Sequence, residues 1–196
     1  MAGVTDIGGD TVHLDNVEFA PVDGECNVGA WTLANFHIHG GRSSPQALMS
    51  SGRIVVFGGW GDLDLEDVFA DVQTSEIRGN GVPGPWRTLG VRPPTGIYGH
   101  TTAETGIGSG HLLLLIGGQA GTGAYSNWVS VAYSDIAFER VGNFRIAPNG
   151  HLPAPRSGAT VHLRGSGLIL IGGSGSGGSY FDDVLVSSLD PGIPPK

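Results

Sequence analysis

The feature that most constrains the fold of this chain is a short apolar run closed by two glycines, which occurs four times. An apolar residue followed by the glycine pair stands at residues 7–9, 57–59, 116–118 and 171–173. The copies follow one another at a nearly regular spacing along the chain. Self-similarity at such a period is typical of repeat architectures, in which each copy is one supersecondary unit. The chain is therefore predicted to consist of about four copies of one unit.

Other residues keep step with the glycine pairs. Trp31, Trp86 and Phe144 each follow the preceding pair at a similar distance along the chain, which is shortest for Trp31. Arg42 and Arg156 are each followed by serine, and both stand at the same distance before the first glycine of the next pair. Several features with a common phase indicate a true repeat, because coincidence would not align them.

The repeating unit is predicted to be built from β-strands. The runs at 53–57, 111–116 and 168–171 are short, apolar and closed by glycine, as in strands buried on both faces. Alternating segments at 16–22, 67–72, 128–133 and 183–187 predict half-buried strands. The chain holds 35 glycines, and its 14% of charged residues compares with about 25% in ordinary domains. An all-β fold with four strands in each unit and many tight turns is expected.

A four-stranded unit of this length, with Gly-Gly at the end of one strand and Trp in a later one, resembles the kelch repeat. The resemblance covers essentially the whole chain, and the Gly-Ala-Trp frame at 29–31 is similar to microbial kelch-like proteins. It implies a single β-propeller domain with the approximate units 1–35 (partial), 36–90, 91–150 and 151–196 (partial). Departures are the missing Tyr after most glycine pairs and the replacement of Trp by Phe144.

The implied propeller assigns structural roles to the phased residues. Trp31, Trp86 and Phe144 are expected in the core between blades, where large aromatic rings bury most area. Arg42 and Arg156 are expected to bond the backbone of a neighbouring blade or to line a central channel.

The propeller is expected to be incomplete at both termini. With strands lettered a to d, the first unit supplies b, c and d and the last supplies a, b and c, which makes fourteen strands. Kelch relatives usually carry more blades. Either the chain closes a small four-bladed ring, or partial propellers associate through their open blade edges, and unpaired edges favour association.

The loops between strands b and c are the expected binding rim, since they emerge together on one face of a propeller. They are predicted at 10–15, 60–66, 119–127 and 174–182. Exposed aromatic rings among acidic residues suit protein contacts or sugar stacking, although the rings could also fold back as local plugs. The candidate binding residues are Trp60, Asp62, Asp64, Tyr125, Tyr180 and Phe181.

The candidate metal and nucleotide sites have simpler interpretations. His37 and His39 share one face of an extended segment and could hold zinc if a third ligand approached. Asp62, Asp64 and Glu66, in the acidic loop 61–67, could hold calcium, although the loop departs from the EF-hand pattern. A polar strand edge and a solvated loop are the expected interpretations, so no metal or cofactor is predicted. The glycine-rich stretches at 118–123 and 172–177 begin no helix and lack a P-loop lysine.

Charge and hydropathy limit the partners. The net charge of −8, with only ten Lys and Arg, argues against nucleic acid. The longest apolar run, 112–116, is too short to enter a membrane, and the N-terminus lacks a signal-peptide pattern. A soluble protein of unassigned compartment is expected, and the lone Cys26 forms no internal disulfide.

These observations together predict a non-enzymatic interaction or scaffolding module. It would bind a protein partner or itself, in an oligomer or a larger assembly such as a phage virion or another microbial structure. The Gly-x-Ser-x-Gly elbow of acyl-transfer enzymes does not occur in the sequence. The alternatives are a carbohydrate-binding propeller and a kelch-like enzyme whose site the sequence does not reveal.

Overall fold

The chain is all-β in a computed structural model that describes residues 3–7, 10–61, 68–107, 110–135 and 140–189. The described residues form fifteen strands in five antiparallel sheets, with one short 3-10 turn at Ser176–Gly178. The strands are β1 (Gly3–Ile7), β2 (Asp10–Leu14), β3 (Glu18–Phe19), β4 (Thr32–Leu33), β5 (Gln46–Ser50), β6 (Arg53–Phe57), β7 (Val72–Glu76), β8 (Arg87–Thr88), β9 (Thr101–Ile107), β10 (Gly110–Ile116), β11 (Trp128–Asp135), β12 (Arg145–His151), β13 (Thr160–Arg164), β14 (Gly167–Ile171) and β15 (Val184–Ser188).

The predicted four-stranded unit occurs twice in full. Strands β5 to β8 form one sheet in chain order, and β9 to β12 form another, so that each sheet is an antiparallel meander. A third sheet holds β13, β14 and β15 in the same order. The apolar runs before the glycine pairs are β6, β10 and β14, the second strand of each sheet, as expected. We refer to β1–β4, β5–β8, β9–β12 and β13–β15 as the first to fourth units.

The first unit differs from the prediction. Strand β1 pairs with β2 over Gly3–Ile7 and Asp10–Leu14, whereas 10–15 was predicted to be a loop. The predicted strand 16–22 is reduced to β3, which pairs with β4. Strand β2 follows β1 closely along the chain, so the two form a hairpin, and β1 does not pair with β3 as the repeat predicted. The described residues therefore hold fifteen strands, where fourteen were expected for the chain.

A second difference concerns the third strand of the second unit. It was predicted at 67–72 and is found at Val72–Glu76, where it pairs with β6 over the whole length of both strands. The pairing of Phe57 with Val72 fixes this register, and a hydrophobic pattern does not reveal such a partner.

The corners that follow the glycine pairs repeat in hydrogen-bonding detail. In each of the last three units the amide of the first glycine donates to a carbonyl at the start of the third strand, in the pairs Gly58–Asp71, Gly117–Trp128 and Gly172–Asp183. The same corners share an antiparallel bridge, in the pairs Ser43–Trp60, Tyr98–Gln119 and Ser157–Ser174. Gly58 and Gly172 have φ angles of 55° and 65°, a conformation that glycine adopts without strain. These hydrogen bonds establish which residues correspond between units.

The apolar core lies between neighbouring units. Trp86 packs with Ile38, Val56 and, beside β3, Val17, which joins the first two units. Phe144 packs on residues of β6 and joins the second unit to the third, with its ring edge-on to Phe57 at 6.0 Å. These two aromatic residues lie between units, as predicted. A third cluster joins the third and fourth units through Leu114, Ile116, Leu168 and Leu170, together with the third unit's Ala103 and Leu152.

Trp31 was predicted to lie in the core between units, like Trp86 and Phe144, and this prediction is wrong. Its exposed fraction is 63%, against 7% for Trp86 and 7% for Phe144. None of the clusters among the described residues includes Trp31, so no sheet in that part of the chain covers its ring.

Candidate functional site

A row of aromatic side chains crosses the corners of the first three units. The rings of His13, on β2, and Trp60, after the second glycine pair, meet edge-on with centroids 4.8 Å apart. The ring centroid of Tyr98 lies 6.1 Å from that of Trp60. Tyr125 bridges to Gln119, which in turn bridges to Tyr98. We call His13, Trp60, Tyr98 and Tyr125 the aromatic row.

The environment of Tyr98 shows how close these rings are. Burial, and then the neighbouring Tyr125, raises the pKa of the Tyr98 phenol above its ordinary value. All four side chains are half-buried, so part of each remains accessible to a ligand.

The structure separates the predicted binding residues into different environments. Trp60 and Tyr125 belong to the aromatic row, while Tyr180 is 85% exposed. The ring of Phe181 lies beneath the guanidinium of Arg156, 3.9 Å from ring centroid to Cζ, so it has folded back onto its own unit. Asp62 and Asp64 lie outside the described residues.

Sequence reasoning missed Tyr98 because the third unit has longer strands. Tyr98 corresponds to Ser43 and Ser157, and Ile97 therefore stands where the other units carry arginine. Strands β9 and β10 have seven residues each, against five in β5 and β6. Ile97 consequently lies farther before its glycine pair than the two arginines lie before theirs. The constant spacing of the arginines therefore did not identify Ile97 or the neighbouring Tyr98.

Arg42 is fully buried and is paired within its own unit. Its guanidinium donates to the carbonyl of Gly58 at 2.9 Å and to both carboxylate oxygens of Asp71, at 2.7 and 3.1 Å. The ring of Phe69 lies 3.9 Å from the guanidinium carbon. Bidentate, charge-assisted hydrogen bonds of this kind stabilise a buried arginine.

Arg156 repeats this arrangement in the fourth unit. It donates to the carbonyl of Gly172 at 3.0 Å and to the carboxylate oxygens of Asp183 at 2.6 and 2.9 Å. These hydrogen bonds hold the pKa of the Asp183 carboxyl below its ordinary value. The guanidinium groups bind the corners of their own units and not a neighbouring unit or a channel. The expected hydrogen bond to a neighbouring unit is made by the backbone amides of Arg42 and Arg156, which donate to the carbonyls of Leu14 and Ser126 in the preceding unit. We call Arg42 with Asp71, and Arg156 with Asp183, the arginine clamps.

In the third unit the corresponding corner is uncharged, and a buried histidine lies beside it. His100 is 1% exposed and packs against the corner glycines, so that a Cβ added to Gly58 would lie 3.2 Å from its ring. Neither ring nitrogen has a hydrogen-bond partner among the residues that the structure describes. Burial lowers the pKa of His100 to about 3, which keeps the imidazole neutral near neutral pH. His100 is therefore a packing residue of the core.

A polar cluster joins the turn between β5 and β6 to the hairpin of the third unit. The Ser50 hydroxyl donates to a carboxylate oxygen of Glu104 at 2.7 Å, and Nδ1 of His111 contacts the same carboxylate. Ser51 Oγ lies 3.4 Å from Nε2 of His111. The order serine, histidine, carboxylate is that of hydrolytic triads, but this distance exceeds the reach of about 2.6–3.2 Å of a nucleophile and its base. We interpret the cluster as a polar contact between neighbouring sheets.

The two histidines that could have held zinc are each bound elsewhere. Nδ1 of His37 lies 3.0 Å from a carboxylate oxygen of Asp15, and Nδ1 of His39 lies 3.1 Å from the Thr88 hydroxyl. Within the described ranges, no three residues of the His, Cys, Asp and Glu types are grouped so that they could hold a metal ion. The calcium candidates Asp62, Asp64 and Glu66 lie outside these ranges. Across the same part of the chain, no helix has the length and apolar character needed to cross a membrane.

Comparison with known proteins identifies the fold and not the family. No family model matches the chain, and no curated protein matches it. Solved structures do match, among them the structure of YjhT, with a TM-score of 0.60 at 21% sequence identity. The match covers 85% of this chain and 57% of that chain, so the present chain spans little more than half the length of YjhT. At this identity the comparison shows a shared fold alone.

Proposed function

We propose that this chain is a kelch-like β-propeller, or part of one, with about four blades, and that it works as a non-enzymatic interaction or scaffolding module in an oligomer or larger assembly. The observation that carries the proposal is the apolar surface left exposed on the outer sides of the first and fourth units. Trp31 is 63% exposed on the first, and Val184 and Val186 are 59% and 75% exposed on the fourth.

Three features support the propeller. Each complete unit is a four-stranded meander, as in a propeller blade. The corners repeat the same hydrogen bonds from unit to unit. Strand β9 contacts both β5 and β13, the first strands of the units on either side, as expected if first strands surround an axis.

Two features support an interaction role. Exposed apolar surface of this kind marks sites of protein association in soluble proteins. Strand β15 pairs only with β14 among the described strands, and a strand edge with free backbone groups recruits further strands. The buried charges, by contrast, are held in the arginine clamps, which suits a structural role for them.

Sedimentation velocity over roughly a hundredfold range of concentration tests the proposal. The wild-type chain is expected to form species larger than the 20.2 kDa monomer, and Val184→Lys with Val186→Lys is expected to shift it to monomer. Met49→Lys is the matched control, since Met49 is an equally exposed apolar residue in the second unit. A wild-type chain that stays monomeric at every concentration would contradict the proposal.

The aromatic row favours glycan binding as a second candidate function. Trp60 and Tyr98 lie close together on adjacent corners, and aromatic rings beside hydroxyl groups suit the apolar faces and polar edges of sugars. In a glycan array, binding by the wild type that is lost in Trp60→Ala and kept in Tyr180→Ala would support it. Tyr180 is an exposed aromatic residue outside the row, which makes it a suitable control. An array with no bound glycan would rule this candidate out.

A further inference from the structure

The contacts between units have a direction. Trp86 of the second unit packs with Val17 of the first, and Phe144 of the third unit packs with Phe57 of the second. Each unit therefore directs its aromatic residue toward the unit before it. The apolar residues at the end of each unit's second strand and the start of its third strand pack against the unit that follows.

The receiving surface of the second unit has an exposed counterpart in the fourth. In the second unit, Phe57 pairs with Val72 across the sheet, and both are fully buried beneath the third unit. In the fourth unit, Ile171 precedes the glycine pair as Phe57 does, and it pairs with Val184. Ile171 and Val184 are 44% and 59% exposed. We call Ile169, Ile171, Val184 and Val186 the receiving face.

The inserting residue also has an exposed counterpart. Trp86 immediately precedes β8, and Trp31 immediately precedes β4, the corresponding strand of the first unit. The strand pairs match as well, because Leu33 pairs with Glu18 where Thr88 pairs with Gln73. Trp31 therefore occupies the inserting position of the first unit. In the same unit Leu33 and the bridged pair Val22 and Val28 are also exposed, and we call these four residues the Trp31 face.

We propose that the Trp31 face of one copy of this chain binds the receiving face of a second copy. This inference rests on the interaction role proposed above and names its partner. The contact reproduces between copies the packing that joins successive units within the chain. Since the two faces differ, the interface is head to tail, and repeated association gives a ring or an open filament.

Two variants that each lack one face test the arrangement. Trp31→Ala removes the inserting ring, and Val184→Lys with Val186→Lys places charges on the receiving face. Both change exposed side chains, so far-UV circular dichroism and urea midpoints are expected to match the wild type. Each variant alone is expected to be monomeric by sedimentation velocity. An equimolar mixture is expected to give a dimer and nothing larger, because one intact face remains on each partner.

The outcomes separate this inference from the proposal on which it rests. If the wild type assembles and Trp31→Ala assembles equally well, or the mixture yields no dimer, the head-to-tail contact is wrong and association through another surface remains. If the wild type never assembles, both fail. If the wild type is a monomer in which Val184→Lys shifts tryptophan emission and Trp31→Phe abolishes that shift, the two faces meet within one chain and the inference is overturned.

Discussion

The buried His100 makes a quantitative prediction about pH and stability. Its pKa is about 3 in the folded chain and 6.5 as the ordinary value, so below pH 6.5 the unfolded chain binds a proton that the folded chain does not. The free energy of unfolding is therefore not reduced by this group above about pH 6.5, and it falls as the pH drops from there toward the folded pKa. Between about pH 7 and about pH 5, this one group is expected to cost about 2 kcal/mol of unfolding free energy.

Urea unfolding followed by tryptophan fluorescence at the two pH values measures the effect. His100→Ala is a suitable variant, because Ala159 occupies the corresponding place in the fourth unit. Carboxylates and other histidines add their own pH dependence, so the quantity to compare is the change in free energy for wild type minus that for the variant. The exposed His151→Ala serves as the control and is expected to keep the wild-type dependence. If His100→Ala loses as much stability on acidification as the wild type, the reasoning is refuted.

Three further substitutions test the packing, each by urea unfolding. Gly58→Ala is expected to cost more than Gly165→Ala: both have positive φ, worth about 1 kcal/mol, but a Cβ on Gly58 would meet the Ile97 carbonyl and one on Gly165 meets nothing. Asp71→Ala leaves a buried arginine unpaired and is expected to cost about 3 kcal/mol, against less than about 1 for the exposed Glu76→Ala. Trp86→Ala is expected to lower the free energy of unfolding by about 3–5 kcal/mol, because the Trp86 ring is buried. The exposed Trp31 ring is the control, and an equal loss in monomeric Trp31→Ala would contradict this reasoning.

The parts of the fold that sequence predicted are those with local signals. Strands β6, β10 and β14 are apolar runs that end at glycine pairs, and both features are read from adjacent residues. The positions of Trp86 and Phe144 followed from their nearly constant phase with those pairs. The first unit could not be predicted in the same way. The glycines at 8–9 have the same local signal, yet β1 pairs with β2, and the choice of a strand partner depends on the whole sheet.

The candidate site was less accessible to sequence analysis. Trp60 and Tyr125 were predicted, but Tyr98, which lies between them, sits in a unit whose longer strands shift the spacing. The partner of Arg42 was missed because Asp71 is distant along the chain, and spacing alone does not say which side chains meet. Trp31 has the same signal as Trp86, and its exposure depends on whether another sheet covers it.

The arginine clamps bear on how a chain of this kind can change in length. Each clamp is closed by residues of one unit, within 39–71 for Arg42 and within 156–183 for Arg156. The described contacts between units are apolar clusters, backbone hydrogen bonds such as that from Gly118 to Arg156, and the polar cluster at Glu104, so no clamp carboxylate lies in another unit. Duplicating or deleting a whole unit would leave no guanidinium without its carboxylate. Tandem gene duplication can therefore add or remove units without stranding a buried charge, and a designer could lengthen the array by copying 36–90.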